Sequence, residues 1–510
     1  MRPSGPQRPG KICIAIQAAT PAEMMARAEA ALREAKFLEF RLDSLPRPSA
    51  VVPALRRFLG EHPATVAIAT CRRKPNGGNF SGMLDEELEV LLKAARAGCR
   101  MVDLEIESAQ AAAPDQLDKF RAALARSGVE LIVSFHDFSR TRPLARAAHR
   151  IAAFEPEIVK VVSTARSLAD NLAVLKLIED RAATTRIVSM AMGEEGLPSR
   201  VLSPARGGAF TFASLLDGAE TAPGQVTART LRSLYRAGKL TGSTRIFGVA
   251  GNPIAHSLSP LMQNTAFRRA RVDAVLLPLK VRALADLLTF ALELPLSGIA
   301  VTMPLKQEIL PRLAQMDPLV KRIGACNTVR IGADGKLFGY NTDVAGVVRP
   351  LKSRIALKGA RIALLGAGGA ARAAAFGLAE EGAEVFIVNR THENAVKLAR
   401  AAGAKALRHE KLRSMHFDAL INSTPCGMAG SKEPLPLAAD ELNAGLVFDM
   451  VYNPMETPLL KLARSRGIPV ITGVEMFVQQ GARQFEIWTG KTAPEAQMRR
   501  AVERELRGRR

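Results

Sequence analysis

The sequence predicts an α/β protein in two parts: an N-terminal (β/α)8 barrel, then a two-lobed α/β unit whose second lobe is a Rossmann nucleotide-binding fold. Three observations predict this. Short β-rich runs alternate with helical stretches through the first part of the chain, eight strand–helix units in about 220 residues. A fresh strand-and-turn pattern opens at Arg245 after a polar junction. Further on, the apolar run from Arg361 to Leu365 enters Gly366-Ala367-Gly368-Gly369-Ala370-Ala371 and then a helical stretch. That G-x-G-x-x-A order allows a tight turn and brings a pyrophosphate close to a helix N-terminus.

The expected barrel strands are 12–18, 37–43, 65–72, 101–107, 131–138, 158–165, 186–193 and 208–214. Ala/Leu/Arg/Glu-rich segments such as 22–35 and 168–181 lie between them with helical periodicity. The basic residues before the first run resemble the start of a secretory signal. That run is short, holds Gln17 and leads into an amphipathic helix, so it reads as the first strand. The barrel spans 11–228 and a linker spans 229–244. A substrate lobe at 245–349 is completed by C-terminal helices over 481–508, and 350–480 forms the nucleotide lobe.

Composition narrows the function. The 510 residues, 47% apolar, suit about three packed domains at roughly 150 residues each. No apolar run approaches the roughly 18 residues of a membrane span. Five scattered cysteines without a CxxC suit free thiols in a reducing cytosol. Seven histidines without ligand spacing predict no metal site. The net charge of +22 is spread over predicted helices, and aromatics are only 5%, so nucleic acid is not the expected partner. A basic surface instead favours small anionic substrates and a phosphorylated cofactor.

In a (β/α)8 barrel the chemistry sits at the C-terminal strand ends. Glu39 and Arg41, Arg72, His136, Arg200 and Gln225 fall at or just beyond such ends, and Lys160 lies within the sixth strand. Lys160 sits in Ile158-Val159-Lys160-Val161-Val162. Desolvation and neighbouring cations should lower its pKa, and a neutral amine attacks a ketone to form an imine. His136 is the natural general base, and Arg41, Arg72 and Arg200 offer forked donors for a carboxylate.

These residues stand in a wider pattern. Ser134-Phe135-His136-Asp137-Phe138, the embedded Lys160, Leu197-Pro198-Ser199-Arg200 and Ala222-Pro223-Gly224-Gln225 resemble the motifs of type I 3-dehydroquinate dehydratases, in order. The resemblance implies a Schiff base at Lys160 and proton transfer by His136. It also implies that Arg200 holds the substrate carboxylate, that Arg72 and Gln225 hold hydroxyls, and that Glu39, Arg41 and Thr221 belong to the substrate site. Relatives often carry a Glu before the Gly-Gly after the third strand, where it orients the histidine; here Asn76 stands there. Glu105 can take part of that role. Its alternation with Asp103 and Glu107 puts carboxylates on one strand face, which reads equally as a structural polar layer.

In the second half, Gly251-Asn252-Pro253-Ile254-Ala255-His256-Ser257-Leu258-Ser259-Pro260 places two hydroxyls at a helix start. They serve either an anion or the helix cap. Thr302 and Lys306, Asn327, and Asp343 follow in separate loops. A Lys/Asp pair there can deliver a proton to an alkoxide formed by hydride transfer, or be a surface salt bridge. The run Glu384 to Val388 ends in Asn389-Arg390-Thr391, with no acid for a ribose 2′-hydroxyl. Arg390 and Thr391 suit a 2′-phosphate, hence NADP.

With Asn422-Ser423-Thr424-Pro425, Asp449-Met450-Val451-Tyr452-Asn453-Pro454 and Gly473-Val474-Glu475-Met476-Phe477-Val478-Gln479-Gln480, this half resembles shikimate dehydrogenases. The resemblance implies Lys306 and Asp343 as the catalytic pair. Ser257, Ser259, Thr302, Asn327, Tyr452 and Gln480 would form the substrate site. Gly366 to Ala371, Asn389, Arg390, Thr391, Gly473 and Met476 would hold NADPH or NADP+. Met303-Pro304-Leu305 departs mildly from the family's usual Val-Pro-His before the lysine. The two halves follow chemical order, since the product of the first is the substrate of the second. Two rival readings are a quinate-preferring dehydrogenase and a catalytically silent regulator that contacts DNA. Both serines with Arg390 argue against the first. Intact Lys160, His136, Lys306 and Asp343 argue against the second.

Overall fold

A computed structural model describes residues 9–141, 143–433 and 435–508. The fold divides into two compact units, one reaching to Thr244 and including Pro278–Leu294, the other Arg245–Leu277 with Pro295–Arg510.

The first unit is built on eight parallel strands: β1 Ile12–Ile16, β2 Phe37–Arg41, β3 Val66–Thr70, β4 Met101–Glu105, β5 Glu130–His136, β6 Ile158–Thr164, β7 Ile187–Met192 and β8 Thr211–Ala213. They run in the order β7-β6-β5-β4-β3-β2-β1-β8. No ladder joins β7 to β8 among the described residues, but the Ala209 amide donates to Ile187 O at 2.7 Å across that seam. The barrel is nearly closed. All eight expected strands form, each shorter than expected, because the polar residues at their ends turn into loops or helices.

Alternation decides what faces the interior. Phe37, Val66, Met101, Ile132 and Ile158 form an apolar cluster near the strand starts. Two or four residues further along the same faces come Glu39 and Arg41, Asp103 and Glu105, Ser134 and His136, and Lys160. Ile158 and Val162, either side of Lys160, both belong to the interior cluster, so Lys160 points inward by parity. The expectation for Glu107 fails. The chain leaves β4 at Glu105 and enters the helix Ile106–Ala111, which carries Glu107 out to solvent. The segment expected as a linker is packed: Leu231, Tyr235, Ala237 and Leu240 are buried.

The second unit has two sheets. The first contains β9 Arg245–Gly251, β10 Ala274–Lys280, β11 Leu296–Val301, β12 Gln315–Met316, β13 Thr328–Ile331 and β14 Leu337–Tyr340. It is mixed, in the order β10-β9-β11-β13-β14-β12. The second contains β15 Arg361–Leu365, β16 Glu384–Val388, β17 Lys405–Ala406, β18 Ala419–Asn422, β19 Val447–Asp449 and β20 Val470–Ile471. Its order, β17-β16-β15-β18-β19-β20, is all parallel and is the dinucleotide-binding order, with its crevice where the winding reverses beside β15. The helix Gly473–Thr489 follows β20 and packs Val478, Ala482 and Phe485 into the core of the first sheet. Its start is held by a Thr472/Glu475 capping box.

Candidate functional sites

The barrel interior closes over a cavity of about 50 Å³ lined by Glu39, Arg41, Arg72, His136, Lys160, Arg200, Thr221 and Gln225. Every residue expected there from the barrel sequence is present. That volume is far below the roughly 300 Å³ typical of ligand pockets. Phe138, stacked on the His136 ring at 6.1 Å, lines the mouth and is half exposed.

Lys160 Nζ donates to Asp103 Oδ2 at 2.6 Å, lies 3.8 Å from Glu39 Oε1, and sits 4.3 Å over the Phe212 ring. Its nearest charged neighbours are therefore carboxylates, not the expected cations. The reason is again parity, which turns Glu39 and Asp103 inward with the lysine. Burial opposes the charge on Asp103, but Lys160, then Arg72 and His136, outweigh it and hold the carboxyl at about 2. Ser134 Oγ donates to the other oxygen at 2.5 Å.

The three arginines differ. The Arg41 fork is filled: Nε and Nη2 donate to the two Asp43 oxygens at 2.9 and 2.8 Å. Burial works against that pair, yet Arg41 holds Asp43 below the usual carboxylate range. That pair leaves Arg41 Nη1 unused and Arg41 also lines the cavity, while the sequence reading missed Asp43 as its partner by placing Asp43 inside a strand. Arg72 Nε lies 2.6 Å from Glu105 Oε1. Arg200 makes no ion pair among the described residues. It is 1% exposed, donates to Pro223 O at 3.0 Å, and its Nε has no partner. Burial alone pulls it down to about 10. The helix Leu197–Leu202 that carries it is pinned by Ser199, whose Oγ accepts the Ala191 amide and whose amide donates to Asn171. Gly224, φ +70°, lets the last loop close on this turn; a Cβ there would sit 2.1 Å from Gly193 O.

His136 Nδ1 lies 2.7 Å from the same Glu105 oxygen. Burial, then Arg72 and Lys160, hold the imidazole well below its ordinary value, and burial pushes Glu105 up to about 7. Asn76 lies in a loop turn, Lys74–Asn76, and is not among the lining residues.

In the second unit a cavity of about 450 Å³ brings together Ser257, Ser259, Thr302, Lys306, Asn327, Asp343, Tyr452, Gly473, Met476 and Gln480. Lys306 Nζ donates to Asp343 Oδ2 at 2.6 Å, and Asn327 Nδ2 donates to Asp343 Oδ1 at 2.8 Å. Asn327 is itself fixed by the Thr342 amide and the Thr328 hydroxyl, both donating to its Oδ1. Asp343 opens the helix Asp343–Lys352, where a carboxylate suits the helix dipole. Ser257 Oγ accepts the Ser259 amide at 3.3 Å, just ahead of the helix Ser259–Arg269, and also lines the cavity. Gln484, one turn after Gln480, also lines it; that four-residue spacing was the signal for it in the sequence.

A third cavity of about 830 Å³ lies at the C-terminal ends of β15 and β16, lined by Gly366, Asn389, Arg390 and Thr391, and by Arg408, Thr424 and Lys432, which the sequence reading missed. Gly366, φ +109°, has no room for a Cβ, which would meet Ser423 Oγ at 2.6 Å. Around Gly368 and Gly369, where the helix Gly369–Glu380 begins, nothing lies within 4 Å of such a Cβ. That open cradle at a helix N-terminus fits a pyrophosphate. Ala367 is partly buried, Ala370 faces the 450 Å³ cavity, and the Ala371 side chain is buried in the core, where it packs helix on sheet. Arg390 is exposed and pairs with Glu433 at 3.3 Å. Glu29, Glu61 and His62 bring their ligand atoms within 4.8 Å of one another on the outside of the barrel, and none of the three cavities is lined by them.

Comparison with known proteins follows the same division. Residues 12–241 match the family described as type I 3-dehydroquinase. Residues 249–329 match the shikimate dehydrogenase substrate binding domain, 350–429 shikimate / quinate 5-dehydrogenase, and 473–503 the shikimate 5′-dehydrogenase C-terminal domain. A chloroplastic bifunctional 3-dehydroquinate dehydratase/shikimate dehydrogenase of Arabidopsis thaliana is 33% identical over 96% of this chain and 83% of its own. A shikimate dehydrogenase (NADP(+)) of Methanosarcina acetivorans is 42% identical over 51% of this chain and 97% of its own. A solved dehydroquinate dehydratase and shikimate dehydrogenase from S. pombe is 25% identical, covers 98% of both chains and has a TM-score of 0.46.

Proposed function

The chain belongs to the bifunctional 3-dehydroquinate dehydratase/shikimate dehydrogenase family and carries both activities; from that premise we propose which residues perform each. In the barrel, Lys160 Nζ attacks the ketone of 3-dehydroquinate. The carbinolamine loses water to give an imine. The protonated imine withdraws electrons and acidifies the adjacent C–H. His136 takes that proton and returns it to the departing hydroxyl, which leaves as water. Hydrolysis of the imine frees 3-dehydroshikimate and the amine. Asp103 holds the lysine aimed at the cavity, and Arg200 receives the substrate carboxylate. The observation that carries this reading is the joint placement, in one buried cavity, of an inward lysine and a guanidinium with no carboxylate partner.

In the second unit, Lys306 delivers a proton to the alkoxide formed on reduction of 3-dehydroshikimate, and Asp343, itself fixed by Asn327, holds its ammonium in place. Ser257, Ser259, Thr302, Tyr452 and Gln480 bind the carboxylate and hydroxyls. The open glycine cradle and Arg390 with Thr391 fit NADPH, which supplies the hydride when bound. The same residues fit small anionic ligands rather than nucleic acid. Among the described residues no helix is long and apolar enough to cross a membrane. The five cysteines are buried and unpaired, as suits a reducing, cytoplasmic setting. The test is direct. 3-Dehydroquinate with NADPH should oxidise the cofactor in a single mixture, and borohydride added with substrate should fix ligand mass on Lys160. Labelling elsewhere in an active enzyme would reject the assignment.

A further inference from the structure

We infer that Glu105 is the positioning residue that orients His136 and balances its charge during dehydration, the part relatives often give to a glutamate where this chain has Asn76. The inference rests on the proposed role of His136 as base. Glu105 ends β4 and faces inward; β4 pairs with β5 so that Glu105 lies opposite Ser134, two residues before His136. This brings Glu105 Oε1 within 2.7 Å of His136 Nδ1 and 2.6 Å of Arg72 Nε. With Nδ1 turned to the carboxylate, Nε2 is the nitrogen left to take the proton. Neither short approach is aligned as a hydrogen bond, and Glu105 Oε2 is buried with no partner at all. Such a group is costly as a purely structural element. Catalytic hydrogen bonds in ligand-free enzymes are often poorly aligned and tighten when substrate binds.

The proton path balances without Glu105 changing its own charge. The proton moves from carbon to His136 and then to the leaving hydroxyl, and the ionised form of Glu105 offsets the charge of the transient imidazolium. Arg72, Arg41 and Lys160 are the cations facing this pair, and Asp103, Glu87 and Glu107 are the other carboxylates near it. Burial pushes Glu105 up to about 7 and, with Arg72, holds His136 well below its ordinary value, and the two groups meet at 2.7 Å.

The test uses the full chain with Glu105→Gln, which keeps the shape and removes the charge. The dehydratase kcat should fall about 100-fold with KM nearly unchanged. Removing the carboxylate should also move the acid limb of the kcat profile to lower pH, because the imidazolium loses its counter-charge. Borohydride should still trap the imine at Lys160, and shikimate oxidation by the other unit should be unchanged. Glu105→Asp, which restores the charge, should recover part of kcat, a rescue that guards against a folding artefact. A Glu105→Gln enzyme within about threefold of the parent in kcat, or with an unmoved acid limb, would overturn the inference. So would a loss of more than about tenfold in Asn76→Ala, which would return the role to that loop. His136→Ala separates the premise: retained dehydration there would sink the base assignment itself, independently of Glu105.

Discussion

Replacing Arg200 by Met should make the free dehydratase unit more stable and its substrate binding much worse. The guanidinium is 1% exposed, lacks a carboxylate partner, and is pulled down to about 10 by burial. From an ordinary value near 12.5, that difference corresponds to roughly 3 kcal/mol against the charged form. Arginine stays protonated at neutral pH, so the folded apo protein carries this cost. Methionine fills similar space beside Met190 without the charge. It forfeits the charge-assisted bond to Pro223 O at 3.0 Å, a term of roughly 1.5 kcal/mol. The net gain is then about 1–2 kcal/mol, or roughly 2–8 °C in Tm for a unit of this size. Substrate, by contrast, brings the missing carboxylate. Removing one partner of such a buried pair costs about 3–5 kcal/mol, so Kd for 3-dehydroshikimate should rise by at least 100-fold. Calorimetric scans of parent and variant, with and without product, measure both effects. In the parent, product should raise Tm by mass action; in the variant it should do so only at far higher concentration. A variant that melts lower than the parent and binds product within about tenfold would refute the reasoning, because Arg200 would then be a satisfied structural cation.

Other consequences are simpler to state. Lys160→Ala should abolish dehydration and leave reduction of 3-dehydroshikimate nearly intact, while Lys306→Ala and Asp343→Ala should do the reverse; loss of both activities in a folded Lys160→Ala protein would show the sites are not separable. The exposed Arg390 should confer at least about tenfold preference for NADPH over NADH in kcat/KM, since roughly 1.4 kcal/mol from a charge-assisted bond suffices. Arg390→Ala should erode that ratio, and equal use of both cofactors by the parent would remove the residue from this role. Glu87, buried against Ser108 Oγ, is pushed up to about 7 by burial. The unfolded chain releases this proton near 4.5 and the folded one only near 7, so the parent should lose up to roughly 3 kcal/mol as pH rises from about 4.5 to 7. Glu87→Gln should flatten that loss, giving a higher Tm than the parent at pH 8 and little difference at pH 5; a constant gap at both values would contradict the assignment.

Much of this protein was legible in the amino-acid order alone. The eight barrel strands, the G-x-G-x-x-A turn and the absence of an acid after β16 follow from period-two hydrophobicity and glycine chemistry, which are local properties. Lys160, His136, Lys306 and Asp343 could be singled out because each breaks an apolar run or stands in a short motif. What a single sequence cannot contain is who faces whom across strands far apart in the chain. Arg41, Arg72 and Arg200 look alike as arginines at strand ends; only the folded barrel shows that Asp43 pairs with the first, Glu105 meets the second and, among the described residues, no carboxylate pairs with the third. The expected run of carboxylates 103, 105 and 107 was half right, because alternation holds only while the strand lasts, and it ends at Glu105. Lys160 was expected among cations and lies against Asp103 instead, brought there from 57 positions away by the pairing of β4, β5 and β6. Periodicity and turn chemistry act over a few residues and so can be read in order; ion pairing inside a barrel depends on register between strands, which tertiary folding alone sets.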